Sequence, residues 1–262
     1  MKATNISVSL NRKPILHGVS MEAQPGQVTA IVGPNGSGKS TFLRAVTGEV
    51  PYSGDVSLNA RPIAGYKPWE LAACRGVLQQ AVSVSFPFTV REIVQLGHSA
   101  GLNAADPTVP EAALRMVDLD GFAHRFYQDL SGGEQQRTQL ARALAQVWQD
   151  GAMTQPRWLF LDEPISSLDI GHQYIVMDIA RDFAARGGGV VTVLHDLNLT
   201  AMFADHVVLM QKGRVFASGP CNDVLASDTL SDAYDCPVAV NAVPPRGVPF
   251  ILPQSRLETG RQ

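Results

Sequence analysis

No stretch of the 262 residues reaches the roughly 18 consecutive apolar residues that a membrane-spanning helix needs. The N-terminus, Met1-Lys2-Ala3-Thr4-Asn5, has no apolar segment behind it, so no secretory signal is read there. Both lacks predict a chain made and kept in the cytosol. Cysteine is scarce. Cys74, Cys221 and Cys236 are scattered without a C-x-x-C pair, which argues against a disulfide or zinc framework and suits a reducing compartment. The six histidines (His17, His98, His124, His172, His195, His206) show no metal-ligand spacing and read mostly as surface or helix-end residues. There is no long basic run, and 21 basic residues against 24 acidic ones give a net charge of −3, so composition offers no nucleic-acid footprint. No internal repeat or low-complexity segment is found.

What is present is apolar residue and one organising loop. A hydrophobic content of 45% is ample for one large domain, or for a core with a subdomain. Gly33-Pro34-Asn35-Gly36-Ser37-Gly38-Lys39-Ser40-Thr41 fits the pattern G-x-x-x-x-G-K-[ST]. Val28 to Val32 before it reads as a buried strand, and Thr41 to Val46 after it as a helix start, which is the context this phosphate-binding motif requires. The glycines let main-chain N–H groups close on phosphate oxygens, and the helix N-terminus favours the anion. Lys39 brings charge to the β- and γ-phosphates, and the Ser40 hydroxyl is a Mg²⁺ ligand candidate.

Two further motifs complete the chemistry. Leu161-Asp162-Glu163-Pro164 follows an apolar strand. Asp162 at the strand end can hold Mg²⁺ opposite Ser40, and Glu163 can take a proton from attacking water. Leu130-Ser131-Gly132-Gly133-Glu134-Gln135-Gln136-Arg137 opens a helix. Ser131 is its N-cap, Glu134 closes a capping box, and the two glycines leave N–H groups open to a second phosphate. This stretch is a well-capped helix on either reading, because the capped end is itself the anion site.

The remaining pattern alternates strands and helices, implying a mostly parallel sheet. Ile6, Val8 and Leu10 mark a first strand, Ile15 to Met21 a second, and Asp55 to Leu58 a third, together an antiparallel layer. Leu71 to Leu78 leads into a core strand that ends at Gln79-Gln80. Thr89 caps a helix ended by Gly97, with Glu92 as its capping-box partner. Ala100 to Pro110 is loop-like, Glu111 to Val117 is helical, and Phe122 to Gln128 is helical or turn-like. Core elements resume with Trp158 to Leu161, a helix from Leu168 to Arg186, and strands at Val190–Leu194, Val207–Met210 and Val215–Ala217. A helix near Asn222 and a stretch with Pro244, Pro245, Pro249 and Pro253 close the chain. The fold class is therefore α/β: a P-loop core with a mostly parallel sheet, an antiparallel β-layer and an inserted helical subdomain. The division is a core over 1–80 and 146–219, a helical subdomain over 81–145, and an extension over 220–262.

In this order the three motifs resemble those of ABC-type ATPases, over most of the chain from the first strand to about Gly219. The resemblance implies a head-to-tail homodimer, or a dimer with a close relative. Each P-loop would face the partner's Ser131-Gly132-Gly133, with two ATP molecules between them. It implies that Asp169 lies in a loop crossing that interface, that His195 senses the γ-phosphate, and that Gln80 links Mg²⁺ and water to the helical subdomain. Gln79 precedes Gln80, so that assignment can slip by one. The family's adenine-stacking aromatic falls at Leu10, where ring stacking is lost. The site residues so implied are Glu163, His195 and Gln80 for catalysis; residues 33–41, Ser131, Gly132, Gly133 and Asp169 for ATP; and Ser40, Gln80 and Asp162 for Mg²⁺.

One ATPase domain, no fused membrane spans and no long coiled coil resemble the separate ATPase subunit of a bacterial importer. Such a subunit lies peripherally on the cytoplasmic face of the inner membrane. Its partners are an integral-membrane permease dimer and, through it, a periplasmic binding protein; no nucleic acid is expected. Ser85 to Gly97 is similar to ATPases of the iron-chelate, cobalamin and haem importers, where Phe86, Phe88 and Val90 would line a groove for the permease. The connection from Trp148 to Pro156, His172-Gln173 and Leu194 to Leu199 resemble the haem branch. The alternatives are ferric siderophore or cobalamin as cargo, or a soluble non-transport ABC ATPase.

Overall fold

The computed structural model describes residues 1–80, 84–101, 103–153, 155–244, 247, 249 and 251–252. Pro245 and Pro253 lie outside them, as does Thr154 in the connection before the Trp158 strand.

The antiparallel layer begins with β1 (Lys2–Leu10) and β2 (Lys13–Glu22), joined by a turn in which Asn11 and Arg12 both have positive φ. The first core strand is β3 (Val28–Val32), followed by the P-loop and α1 (Lys39–Val46). The chain returns to the layer with β4 (Ser53–Leu58) and β5 (Arg61–Pro62). A short helix, α2 (Pro68–Cys74), leads to β6 (Arg75–Leu78). The helical block is α3 (Val90–His98), α4 (Val109–Met116) and α5 (Gly132–Gln146). Then come β7 (Trp158–Asp162), α6 (Ile170–Ala185), β8 (Gly189–Val193), α7 (Leu197–Phe203), β9 (His206–Gln211) and β10 (Arg214–Pro220). Two helices, α8 (Cys221–Val224) and α9 (Ser227–Tyr234), follow.

The core sheet has the order β10-β9-β3-β8-β7-β6, parallel except for the β10–β9 hairpin, and the second sheet has the order β2-β1-β4-β5. Strands β3, β7 and β8 are buried at every residue. They read as continuous apolar runs because both sheet faces are covered. Alternation decides which face each side chain meets. Ile31, Phe160 and Val193 pack with Phe42 and Leu43 of α1 and with Ile6, Val8 and Leu16 of the antiparallel layer. Ala30, Val32, Leu159 and Leu161 pack on the opposite face with α3, α5 and α6.

Several local expectations need correction. Gly97 does not end its helix; α3 runs through it to His98. A Cβ at Gly97 would lie 2.1 Å from the Arg142 carbonyl oxygen, so the glycine serves the close approach of α3 to α5. The lead-in at 71–74 belongs to a helix whose first position is Pro68, and the core strand that follows ends at Leu78 rather than at Gln79-Gln80. Helix α7 went unexpected, although Asp196 caps it by accepting from the Asn198 and Leu199 N–H groups. Of the two readings open for Phe122 to Gln128, the turn-like one holds, with a short 3-10 turn at Tyr127–Asp129. His98 is a helix-end residue, the last of α3, but a buried one: it is 1% exposed, with its Nε2 2.6 Å from the Asn103 carbonyl oxygen.

Candidate functional site

Register places the site. Val193 at the end of β8 pairs with Ile31 of β3 on one side and Asp162 of β7 on the other. The three segments that leave these strands therefore emerge side by side at their C-terminal ends, where open α/β sheets bind ligands. They are the P-loop from Gly33, Glu163-Pro164, and Leu194-His195.

The P-loop turn depends on glycine at its first position. Gly33 has φ 142°, and a Cβ there would stand 2.1 Å from the Met210 carbonyl oxygen. Lys39, 5% exposed, donates from Nζ to the carbonyl oxygens of Gly33 (2.9 Å) and Pro34 (3.0 Å). Burial pulls the ammonium below its usual pKa, and the nearby Glu163 and Asp162 carboxylates act in the opposite direction. The Ser40 hydroxyl donates to Asp162 Oδ1 at 2.9 Å. Asp162 is 4% exposed, and burial pushes its carboxyl up; the Ser40 hydrogen bond acts against this, while Glu163 and Glu49 add to it.

Glu163 is held from two sides. Its Oε1 lies 2.7 Å from His195 Nε2, and its Oε2 accepts from Gln80 Nε2 at 2.9 Å. The neighbouring Gln79 turns away and donates to Glu49 Oε2 at 3.0 Å, so of the two glutamines Gln80 faces the carboxylate. The Glu163 main chain has φ 50°, uncommon for a residue with a Cβ, and its N–H donates to the Val193 carbonyl at 3.2 Å.

These groups line an open cavity of about 920 Å³ with Asn35, Gly36, Gly38, Lys39, Ser40 and Thr41 on one side and Gln80, Glu163 and His195 on the other. Lys13 and Ile15 of β2 also line it; Leu10 does not. Nothing in the local sequence singled those two out, because it is the folding of β2 across the loop that brings them there.

Ser131, Gly132, Gly133 and Asp169 are not among the lining residues. They form a separate cluster at the N-termini of α5 and α6. The Ser131 N–H donates to Glu134 Oε2 (2.7 Å) and Ser131 Oγ accepts from the Glu134 N–H (3.3 Å), completing the expected capping box. Gly132 faces open space, and a Cβ on Gly133 would touch Ser167 and Leu168. Asp169 caps α6 by accepting from the His172 N–H at 2.9 Å. Within a single copy of the chain, this cluster and the P-loop cavity are therefore separate.

A P-loop beside a paired carboxylate, with a separate glycine-flanked helix terminus, defines a nucleotide-binding cassette. The chain belongs to the ABC transporter family, whose sequence pattern it matches over residues 16–166. It is 58% identical to the "Hemin import ATP-binding protein HmuV" of Jannaschia sp. (strain CCS1), over 98% of this chain and 95% of that one. It is 55% identical to the protein of the same name from Mesorhizobium japonicum, over 97% of this chain and 98% of the relative. Its fold is similar to the crystal structure of an ATP-binding cassette of an ABC transporter in its ADP conformation. That likeness has a TM-score of 0.74 and 25% identity, over 89% of this chain and 97% of the other. Among the described residues no helix is long and apolar enough to cross a membrane.

Proposed function

We propose that this chain is the ATP-hydrolysing subunit of a bacterial hemin importer, acting as a homodimer on the cytoplasmic face of the inner membrane beneath a permease dimer. The observation that carries the catalytic half is the Glu163 carboxylate, held between His195 and Gln80 beside Lys39. The cargo rests on the relatives, whose printed names specify hemin import and whose identity extends over almost the whole chain. ATP is the substrate. Residues 33–41 cradle its phosphates, Lys39 compensates their charge, and Glu163 accepts the proton of the attacking water while His195 and Gln80 hold its two oxygens.

Mg²⁺ fits the donor set. Ser40 Oγ and Asp162 Oδ1 are oxygen donors 2.9 Å apart, and a cation held between them would favour the charged form of the buried Asp162 carboxylate. Gln80, whose Nε2 donates to Glu163, would offer its amide oxygen as a further donor. When bound, Mg²⁺ supplies charge neutralisation for the phosphates.

The separation of the P-loop cavity from the cluster at the N-termini of α5 and α6 supports pairing with a second copy. In such a dimer Ser131, Gly132 and Gly133 of one subunit close on the nucleotide of the other, and Asp169 lies at the seam. We take the core as 1–80 and 146–219, the helical subdomain as 81–145 and the extension as 220–262. A groove of about 380 Å³ has Phe86 and Phe88 in its lining, with Val84, Ile93 and Leu96 beside them and Gln79, Gln139 and Arg142 at its polar side. Val90, expected there from the sequence, is instead fully buried, and the exposed Phe86 (70%) suits contact with an apolar helix of the permease. The periplasmic binding protein acts through that permease, and no nucleic acid takes part.

Isolation of the tagged chain from detergent-solubilised membranes tests this reading. It predicts recovery with a multi-span permease; recovery only in the soluble fraction would favour the non-transport ATPase instead.

A further inference from the structure

Gln136 begins the second turn of α5, yet its side chain hydrogen-bonds outside that helix. It reaches the loop between β7 and α6. Its Nε2 donates to the main-chain carbonyl of Glu163 at 2.8 Å, and its Oε1 accepts from the Ser167 N–H at 3.3 Å. A carbonyl only accepts and an N–H only donates, so the two contacts fix the orientation of the amide. The grip falls on an unusual piece of backbone, since Glu163 has φ 50°. That turn is what aims its carboxylate at His195 and Gln80. Among the described residues, the other donors to the Glu163 carbonyl are the N–H (3.4 Å) and hydroxyl (3.2 Å) of Ser166, both longer and both from the same loop. Gln136 is thus the contact that arrives from another element.

The next residue anchors α5 in the opposite direction. Arg137, 7% exposed, donates from Nη1 to the Val117 (2.8 Å) and Asp118 (2.6 Å) carbonyls after α4. The N-terminal half of α5 is therefore fastened to the helical block by one side chain and to the catalytic loop by its neighbour.

We infer that Gln136 is a positioning residue: it couples the placement of the α5 N-terminus to the orientation of the Glu163 carboxylate in the same chain. This rests on the reading of Glu163 as the base. In the dimer, the Ser131-Gly132-Gly133 end of α5 closes on one nucleotide while Glu163 of the same chain serves the other. Gln136 then carries the state of one site to the base of the second.

The test uses Gln136→Leu, which removes both contacts, and Gln136→Glu, which keeps the size and the acceptor but puts a charged carboxylate oxygen where the donor stood. Each is made alone and together with Glu163→Gln in the 262-residue chain. The steady-state ATPase kcat and KM, the thermal midpoint and the ATP-dependent dimer are measured. A displaced base costs on the order of 10- to 100-fold in kcat, and both single variants should show that loss with KM unchanged. Combined with Glu163→Gln, neither should slow the residual turnover further, and the ATP-bound dimer should persist. Normal kcat in Gln136→Leu would overturn the proposal. So would a loss that adds in full to that of Glu163→Gln, or disappearance of the dimer. If Gln136→Leu does not fold, normal kcat in Gln136→Glu overturns it instead. Normal turnover in Glu163→Gln by itself removes the base assignment, whatever Gln136 does.

Discussion

Glu163 Oε1 and His195 Nε2 stand 2.7 Å apart, joining the end of β7 to the end of β8 across the mouth of the nucleotide cavity. Glu163→Gln keeps the shape of the side chain and removes its basicity. ATP binding should survive, turnover should fall by roughly 100-fold or more, and an ATP-bound dimer should accumulate on a sizing column. Unimpaired turnover would remove Glu163 from the proton transfer.

The Asp162 carboxyl makes stability depend on pH in a defined direction. Burial raises its pKa above the ordinary value of 3.8, so ionisation costs more in the folded chain than in the unfolded one. Below 3.8 both states hold the proton and the cost is absent. As pH rises past 3.8 the unfolded chain ionises first, the cost grows, and it is complete above the raised value. Without ATP and Mg²⁺, Asp162→Asn should therefore melt higher than the unaltered chain at neutral pH, and the gap should shrink toward pH 4. A gap that widens on acidification would contradict this. The same variant should lose Mg²⁺-dependent hydrolysis.

Gly97→Ala places a methyl group against the Arg142 carbonyl, where main chain cannot yield cheaply. The expected loss is about 1–3 kcal/mol, read as a lower denaturant midpoint with an unchanged slope. An unchanged midpoint would show that α3 and α5 can part without cost.

Gly97 also shows where the sequence was readable and where it was not. Thr89 with Glu92, and Ser131 with Glu134, state their helix starts within four residues, and both capping boxes form. The P-loop and its flanking strand and helix are legible for the same reason, since their hydrogen bonds are local. A glycine inside a helix reads as an end unless the neighbouring helix is known, and Arg142 lies 45 residues further on. Helices α2 and α7 carried signals, Pro68 at the first position and Asp196 at the cap, but each is only seven residues long and shows little periodicity. Ile15 and Lys13 reach the cavity through the pairing of β2 with β1, and Gln136 reaches Glu163 across 27 residues. Such contacts are properties of the packed structure rather than of any short stretch.

The most direct test of the central claim is growth of a host strain whose own copy carries Glu163→Gln, with haem as the sole iron source and a ferric siderophore culture in parallel. The account predicts failure on haem and normal growth on the siderophore. Normal growth on haem, or failure on the siderophore alone, would contradict it.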